Sequence, residues 1–366
     1  MRRALAEPVR TAVKAAIRRG ENAGRRRVQA LTGQALGELE SIYRRAAAEI
    51  EREIQTSADL DGNLRTTVLR TLLEKIRARL DGLGRSRDEL LTSSLREAAR
   101  IGVSPFEEVD GINTDLVNVA EDATRFVRTF VAEDGLQLSD RLWRLDRGAR
   151  EAVAGAVEQA VVQGQSASRA AQEFLQRGEA VPTDVANKVN DANASRVAGR
   201  ARRALLRTDD ERTAYQNALR VFRTEINRAH GQAYQAAAFE HPDVVGTRFL
   251  LSPAHPRRDI CDLHASVNLY GMGPGVYPKG KNPWPAHPNT LSFTEVVFAD
   301  EVEGGEREDR ISWLQRQDAG TQEAVLSSRK KRAALEKGIL TQNEINTPWR
   351  VLKKRYEQRG IDTEQL

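Results

Sequence analysis

Residues 223–239, RTEINRAHGQAYQAAAF, run directly into a stretch of very different composition. Phe222, Ile226, Ala229, Ala233 and Ala237 recur at helical spacing among good helix formers, which predicts a helix. From His241 onward come Pro242, Gly246, Pro253 and Pro256, then DICDLHA (259–265) and YGMGPGVYPKGKNPWPAHPN (270–289). Proline removes a backbone donor and disfavours helix in the residue before it, so this segment is predicted to be a Pro/Gly-rich loop. LSFTEVVF (291–298), β-branched and aromatic, then reads as a strand. All five histidines (His230, His241, His255, His264, His287) and the single cysteine, Cys261, fall in this part of the chain. Histidine and cysteine bind metals and titrate near neutral pH, so a site is sought here.

Outward from that module the chain predicts mainly α structure. Residues 9–56 are amphipathic, with two helices expected to meet near Gly20–Gly24, and their apolar stripe calls for a partner helix or surface to cover it. A turn at DLDGN (59–63) precedes a helix through Val68–Leu80. A second break at DGLGRS (81–86) has Ser86 placed to cap the next helix. After an irregular stretch, a helix is expected over 119–130, followed by LSDRLW and a further helix starting at Asp146. Gly164 is read as its C-cap and Ser166 as the N-cap of the one after. EAVPTDVANKVNDANAS (179–195) is predicted to be a loop, with helices over 195–207 and from 211 onward. Beyond an acidic linker (300–309), helices are expected over 310–317 and 321–337, with a last one from Thr347 and Pro348. The organisation so read is a helical arm (1–118), a helical domain (119–222), an α+β module with the Cys/His loop (223–300) and a basic helical tail (301–366).

Charge is segregated along the chain. The formal net charge is +5, yet residues 1–30 carry nine Arg/Lys against two Glu and residues 329–359 carry ten against three, so the body between is acidic. Arg25, Arg26, Arg27, Lys330, Lys331, Lys353 and Lys354 are therefore candidate contacts to double-stranded DNA, without sequence preference, or to an acidic partner surface. Equally, they can be solvated helix faces. No apolar run approaches the roughly 18 residues of a membrane span, and the first residues lack the apolar core of a signal peptide. A single cysteine forms no internal disulfide. These features lead to the expectation of a protein that does not enter a membrane and remains in the cytoplasm.

RTEINRAHGQAYQAA, RFLLSP, DICDLHA and PWPAHPNTLSF in this order, preceded by LSDRLW and VVQGQSASRAAQEF, resemble the Mu F-like minor head proteins of tailed bacteriophages, the head morphogenesis family. The resemblance covers about residues 138–300. It implies a structural virion component located in the head interior or near the portal, and in the host cytoplasm during assembly. Its partners would be the portal and capsid or scaffold proteins, and its role assembly and DNA handling rather than catalysis. Many members carry Cys-x-x-Cys followed by His-Pro-x-Cys-x-Cys, suited to tetrahedral zinc. Here Cys261 keeps the first position, His264 takes the second, and Thr290 and Ser292 stand where later cysteines would lie.

Two readings of the loop stay open at this level. Cys261, His264 and His287 can bind zinc, with Asp259 or His255 as a fourth ligand, or Cys261 is a buried small hydrophobe while His264 and His287 cap turns. Arg223, Thr224, Glu225, Trp284 and Pro288 complete the candidate structural residues. Arg223 and Glu225, two apart on a helix, point away from each other and are expected to tie the helix separately to the loop. No H-E-x-x-H, G-x-S-x-G or G-x-x-x-x-G-K-[ST] motif is present, so no catalytic residue is assigned. The alternatives carried forward are a toxin-like or hydrolytic module using Cys261 and its neighbouring histidines, and a nucleic-acid-binding protein unrelated to phage.

Overall fold

The computed structural model describes residues 7–109, 112, 115–131, 135–207, 213–253, 255–287, 290 and 292–366. Arg2 and Arg3 of the basic N-terminal stretch and Pro288 of the candidate loop lie outside the described residues. The protein is mainly α, with a small α+β module built on a three-stranded antiparallel sheet. In chain order the elements are α1 (Glu7–Thr56), α2 (Thr66–Val103), α3 (Leu116–Thr129), α4 (Leu138–Gln176), α5 (Thr183–Val189), α6 (Ala194–Leu206) and α7 (Ala214–Ala238). There follow β1 (Val244–Leu250), α8 (Ile260–Ser266), β2 (Val276–Pro278) and β3 (Phe293–Phe298). The tail carries α9 (Arg310–Gln315), α10 (Ala319–Leu326), α11 (Arg329–Glu336) and α12 (Trp349–Gln358). No helix among the described residues is long and apolar enough to cross a membrane.

The chain divides into two compact units. One takes residues 32–94 and 138–222, the other 1–31, 95–137 and 223–366.

In the first unit, Leu39, Tyr43, Ile50 and Ile54 of α1 and Leu72, Ile76 and Leu80 of α2 are buried, as are Val153, Val157 and Val161 of α4 and Val197 and Leu205 of α6. Several predicted breaks are absent. α2 runs straight through DGLGRS, where Leu83 is buried. The fully buried guanidinium of Arg87 bonds Asp146 Oδ1 at 2.9 Å and Asp88 Oδ1 at 2.6 Å, so the charge is paired where it is dehydrated. α4 likewise continues through Gly164. That residue is no C-cap but a close-approach position, since a Cβ there would stand 2.3 Å from Ala192 N. The expected loop 179–195 instead holds α5 and a 3-10 turn, Asn190–Ala192. The turn is pinned by Leu64 N to Ala192 O at 2.8 Å and Ala194 N to Gly62 O at 2.9 Å.

In the second unit, the sheet has order β2-β1-β3, with β1 central. Gly246, Thr247 and Arg248 pair with Pro278, Tyr277 and Val276 on one side, and Val244 to Leu250 pair with β3 on the other. One core gathers Ile17 of α1, Ala99 and Val103 of α2, Ala233, Tyr234 and Ala237 of α7, and Val244, Val296 and Phe298 of the sheet. Gly20 and Gly24 lie inside α1. Each glycine weakens a helix by about 1 kcal/mol relative to alanine, and burial of Ile17 and Val28 on either side outweighs that cost. The expectation that the stripe of residues 9–56 needs an external cover is corrected for its described side chains: from Val13 to Ile54 the chain's own elements in each unit bury most of it.

DICDLHA, predicted as loop, forms α8 because Asp259 and Asp262 make a reciprocal capping box at its start. Its Leu263, and Val267 just past its end, join Trp313, Leu314, Leu326, Leu335, Leu352 and Tyr356 in a separate tail cluster. The helix predicted over 321–337 is two, parted at Ser327, whose φ of 52° is left-handed, with Ser328 capping α11.

Candidate functional site

The predicted loop is held by side chains. Asn282 Nδ2 donates to Thr247 Oγ1 (2.9 Å) of β1, Trp284 N donates to Asn282 Oδ1 (3.1 Å), and Trp284 Nε1 donates to Ser292 O (2.8 Å). The Trp284 ring lies against the backbone of Gly231 on α7, so close that a Cβ there would stand 1.6 Å from a ring carbon. Tyr270 meets Tyr277 edge-on at 5.8 Å, and Phe249, Cys261 and Tyr277 form a small buried core beneath.

Around the start of α8 the donors converge. Asp259 Oδ1 accepts from Cys261 N at 2.7 Å, and its Oδ2 lies 3.1 Å from His287 Nε2. Burial pushes the Asp259 carboxyl up, but His287 and the Cys261 N–H outweigh it and bring it down to about 2. Cys261 is fully buried, its Sγ 3.5 Å from Thr290 Oγ1. His255 Nε2 sits 3.0 Å from Asp262 Oδ2.

Asp259, Cys261 and His287 bring one donor atom each within 4.8 Å of one another, and His255, Asp259 and Asp262 do the same. Carboxylate, thiolate and imidazole are a zinc-type donor set. The proposed grouping of Cys261, His264 and His287 is thereby altered, with Asp259 in place of His264. Thr290 Oγ1, beside Cys261 Sγ, is a hydroxyl at a position where the resembled family carries a cysteine. His264 is buried against Phe249, and among the described residues neither ring nitrogen has a hydrogen-bond partner. Burial, reinforced by Arg310, lowers its pKa to about 3, so it is neutral near pH 7. Its backbone carbonyl accepts from Tyr277 OH at 2.9 Å.

At the other motif, Glu225 is buried and pairs with Arg228 at 3.0 Å, and Thr224 is buried. Arg223 is exposed and makes no hydrogen bond or ion pair with a described residue, so the expected tie from Arg223 to the loop is not seen among the described residues. A helix turn that displays Arg223 to solvent buries its neighbours, as residues two apart must face apart.

The basic candidates separate in the same way. Lys14 and Arg18 near the start of α1 are met by the chain's own acids: Lys14 with Asp300 at 2.5 Å, and Arg18 with Glu295 at 2.8 Å and Glu301 at 3.2 Å. Arg27 pairs with Glu97 at 3.7 Å. Arg25 stacks over Phe293, its guanidinium carbon 4.1 Å from the ring centre, and Arg26 is exposed. In the tail, Lys331 is buried and donates to Ile345 O, which removes it from the surface contacts. Lys330 donates to Thr363 O, and Lys353 pairs with Glu364 and Glu357. Lys354 is exposed, as is Arg350 one turn before it.

Reading the sequence missed Glu21. It is buried, accepts from Tyr234 OH and from Val296 N (3.2 Å), and pairs with Arg18. Burial raises its pKa. The signal was present: Ile17, Glu21, Gly24 and Val28 share one helical face, so an acid sits on a stripe destined for burial.

No family model, no curated protein and no solved structure matches this chain.

Proposed function

We propose that the chain is a structural minor head protein of a tailed bacteriophage that enters the procapsid with the portal and assists head assembly and DNA handling. The reading rests on the resemblance carried by the RTE helix, DICDLHA and PWPAHPN. One observation supports it most: side chains of these stretches are spent on fixing shape. Trp284 seats on Gly231, Cys261 is enclosed beside Thr290, and Asp259 caps α8 while holding His287.

A nucleophile must reach substrate, and a fully buried Cys261 favours a structural role over the toxin-like or hydrolytic alternative. Where zinc or a similar ion is present, Asp259, Cys261 and His287 would hold it as a structural clamp on the loop.

The test is co-expression with candidate portal, capsid and scaffold proteins from the same source. The expected result is co-purification with the portal and incorporation into procapsids, lost in proportion to stability in Cys261→Ser. Absence of the chain from particles, or a turnover activity abolished by Cys261→Ser in a fully stable variant, would overturn the proposal.

A further inference from the structure

Between α1, α7 and the segments around Ser252 and Trp284 lies a cavity of about 400 Å³, in the second unit, which shares Thr290 with the surroundings of Cys261. That volume falls within the range of small-ligand sites, about 300–1,000 Å³. Its floor is buried: Tyr234, Thr290 and Ser292. Its rim is exposed: Asn22, Arg26 and Gln29.

Three features of the lining point to a ligand. First, Arg25 and Arg26 both line it, and neither has a carboxylate partner among the described residues, whereas Arg18 and Arg27 on the same helix do. Second, Trp284, Tyr234 and Phe293 supply flat apolar walls, with the His230 ring 6.3 Å from that of Tyr234 and nearly parallel to it. Third, the Ser292 hydroxyl is buried in the lining with no hydrogen-bond partner among the described residues. A buried hydroxyl left without a partner is costly, and a ligand polar group would satisfy it.

Arginine recognises phosphate through paired, charge-assisted hydrogen bonds, and aromatic side chains hold bases by stacking. We propose that this cavity binds a phosphorylated nucleoside, the phosphate at Arg25 and Arg26 and the base against Trp284 and His230. The nucleotide comes either free or as a unit of a single strand. Burial and the nearby Arg25 lower His230 to about 4, so near pH 7 its neutral ring offers an acceptor to a base amino group. This inference stands on the cavity alone and does not depend on the virion assignment.

Calorimetric titration of the full chain with adenosine monophosphate, inorganic phosphate and an eight-residue oligothymidylate tests it. Adenosine monophosphate is expected to bind saturably, and about tenfold or more tighter than inorganic phosphate, because only the nucleotide stacks. Arg25→Ala and Arg26→Ala should each weaken it by about tenfold; Arg26 is exposed, so that variant keeps the fold, as circular dichroism would verify. Oligothymidylate that binds tighter than the mononucleotide and is competed by it assigns a strand as the source; no gain for the oligonucleotide assigns the free nucleotide. The proposal is overturned if neither nucleotide probe saturates, if inorganic phosphate binds as tightly as the nucleotide, or if both arginine variants bind within about twofold of the parent.

Discussion

At the scale of single residues, the contact between Gly231 and Trp284 is the one a substitution tests most directly. Gly231→Ala places a methyl inside the indole, and overpacking of this kind costs about 1–3 kcal/mol. Trp284→Ala removes the ring from a half-buried seat, at a cost below the about 3–5 kcal/mol of a fully buried aromatic. Combined, the two changes are expected to destabilise less than their sum, because the alanine methyl then occupies vacated space. Denaturant unfolding of the four proteins checks this, and strict additivity would mean that the two residues do not act on each other. A second residue-scale expectation concerns metal. If Asp259, Cys261 and His287 clamp the loop through an ion, elemental analysis finds about one zinc per chain in the parent and a loss in Cys261→Ser; a metal-free parent would leave the hydrogen bonds of Asp259 as the clamp.

Individual elements carry a different set of consequences. In α11 and α12 two lysines that look alike in sequence have opposite fates: Lys331 is enclosed with its ammonium on Ile345 O, and Lys354 faces water. Lys331→Glu is expected to unfold the tail cluster. Arg350→Glu with Lys354→Glu should leave stability unchanged and lower any affinity for duplex DNA, reducing the log–log salt slope by roughly 0.9 for each phosphate no longer neutralised. A slope unchanged in the double variant would remove α12 from DNA contact. Much of the element order was legible, because apolar spacing at 3.6 residues gives helices directly and Phe293–Phe298 is rich in strand formers. The misplaced boundaries share a physical cause. Gly24, Gly84 and Gly164 read locally as breakers, yet each lies inside a helix where tertiary packing outweighs a penalty of about 1 kcal/mol. The start of α8 escapes a local reading for the converse reason: prolines surround it, while the capping box of Asp259 and Asp262 needs only three residues' spacing. At the site, residue type alone picks out Cys261 and His287, but not the cavity beside His230. Its walls come from segments more than 200 residues apart, and no local pattern reports such a meeting.

For the whole molecule, the separation of charge along the sequence is partly an internal arrangement, since Lys14 and Arg18 are answered by Glu295, Asp300 and Glu301. Acid should weaken the fold early. His230, at about 4 when folded against an ordinary 6.5, is held neutral, so the unfolded chain takes up the proton first. Its contribution is complete above pH 6.5 and is lost as pH falls toward 4, amounting to up to about 2 kcal/mol by pH 5. Urea unfolding at pH 7.5 and pH 5 measures this, and His230→Gln should flatten the difference; an equal loss in that variant would assign the acid sensitivity to other groups. The division into units also sets an order of events during synthesis. The unit of residues 32–94 and 138–222 has all its parts once Phe222 has emerged, whereas Glu21 must wait for Val296, which lies 275 positions later. At translation rates of about 5–20 residues per second, that delay is roughly 14–55 s. During it the beginning of the chain is an amphipathic segment with Val13, Ile17 and Glu21 unmatched, a natural client for a chaperone on the ribosome.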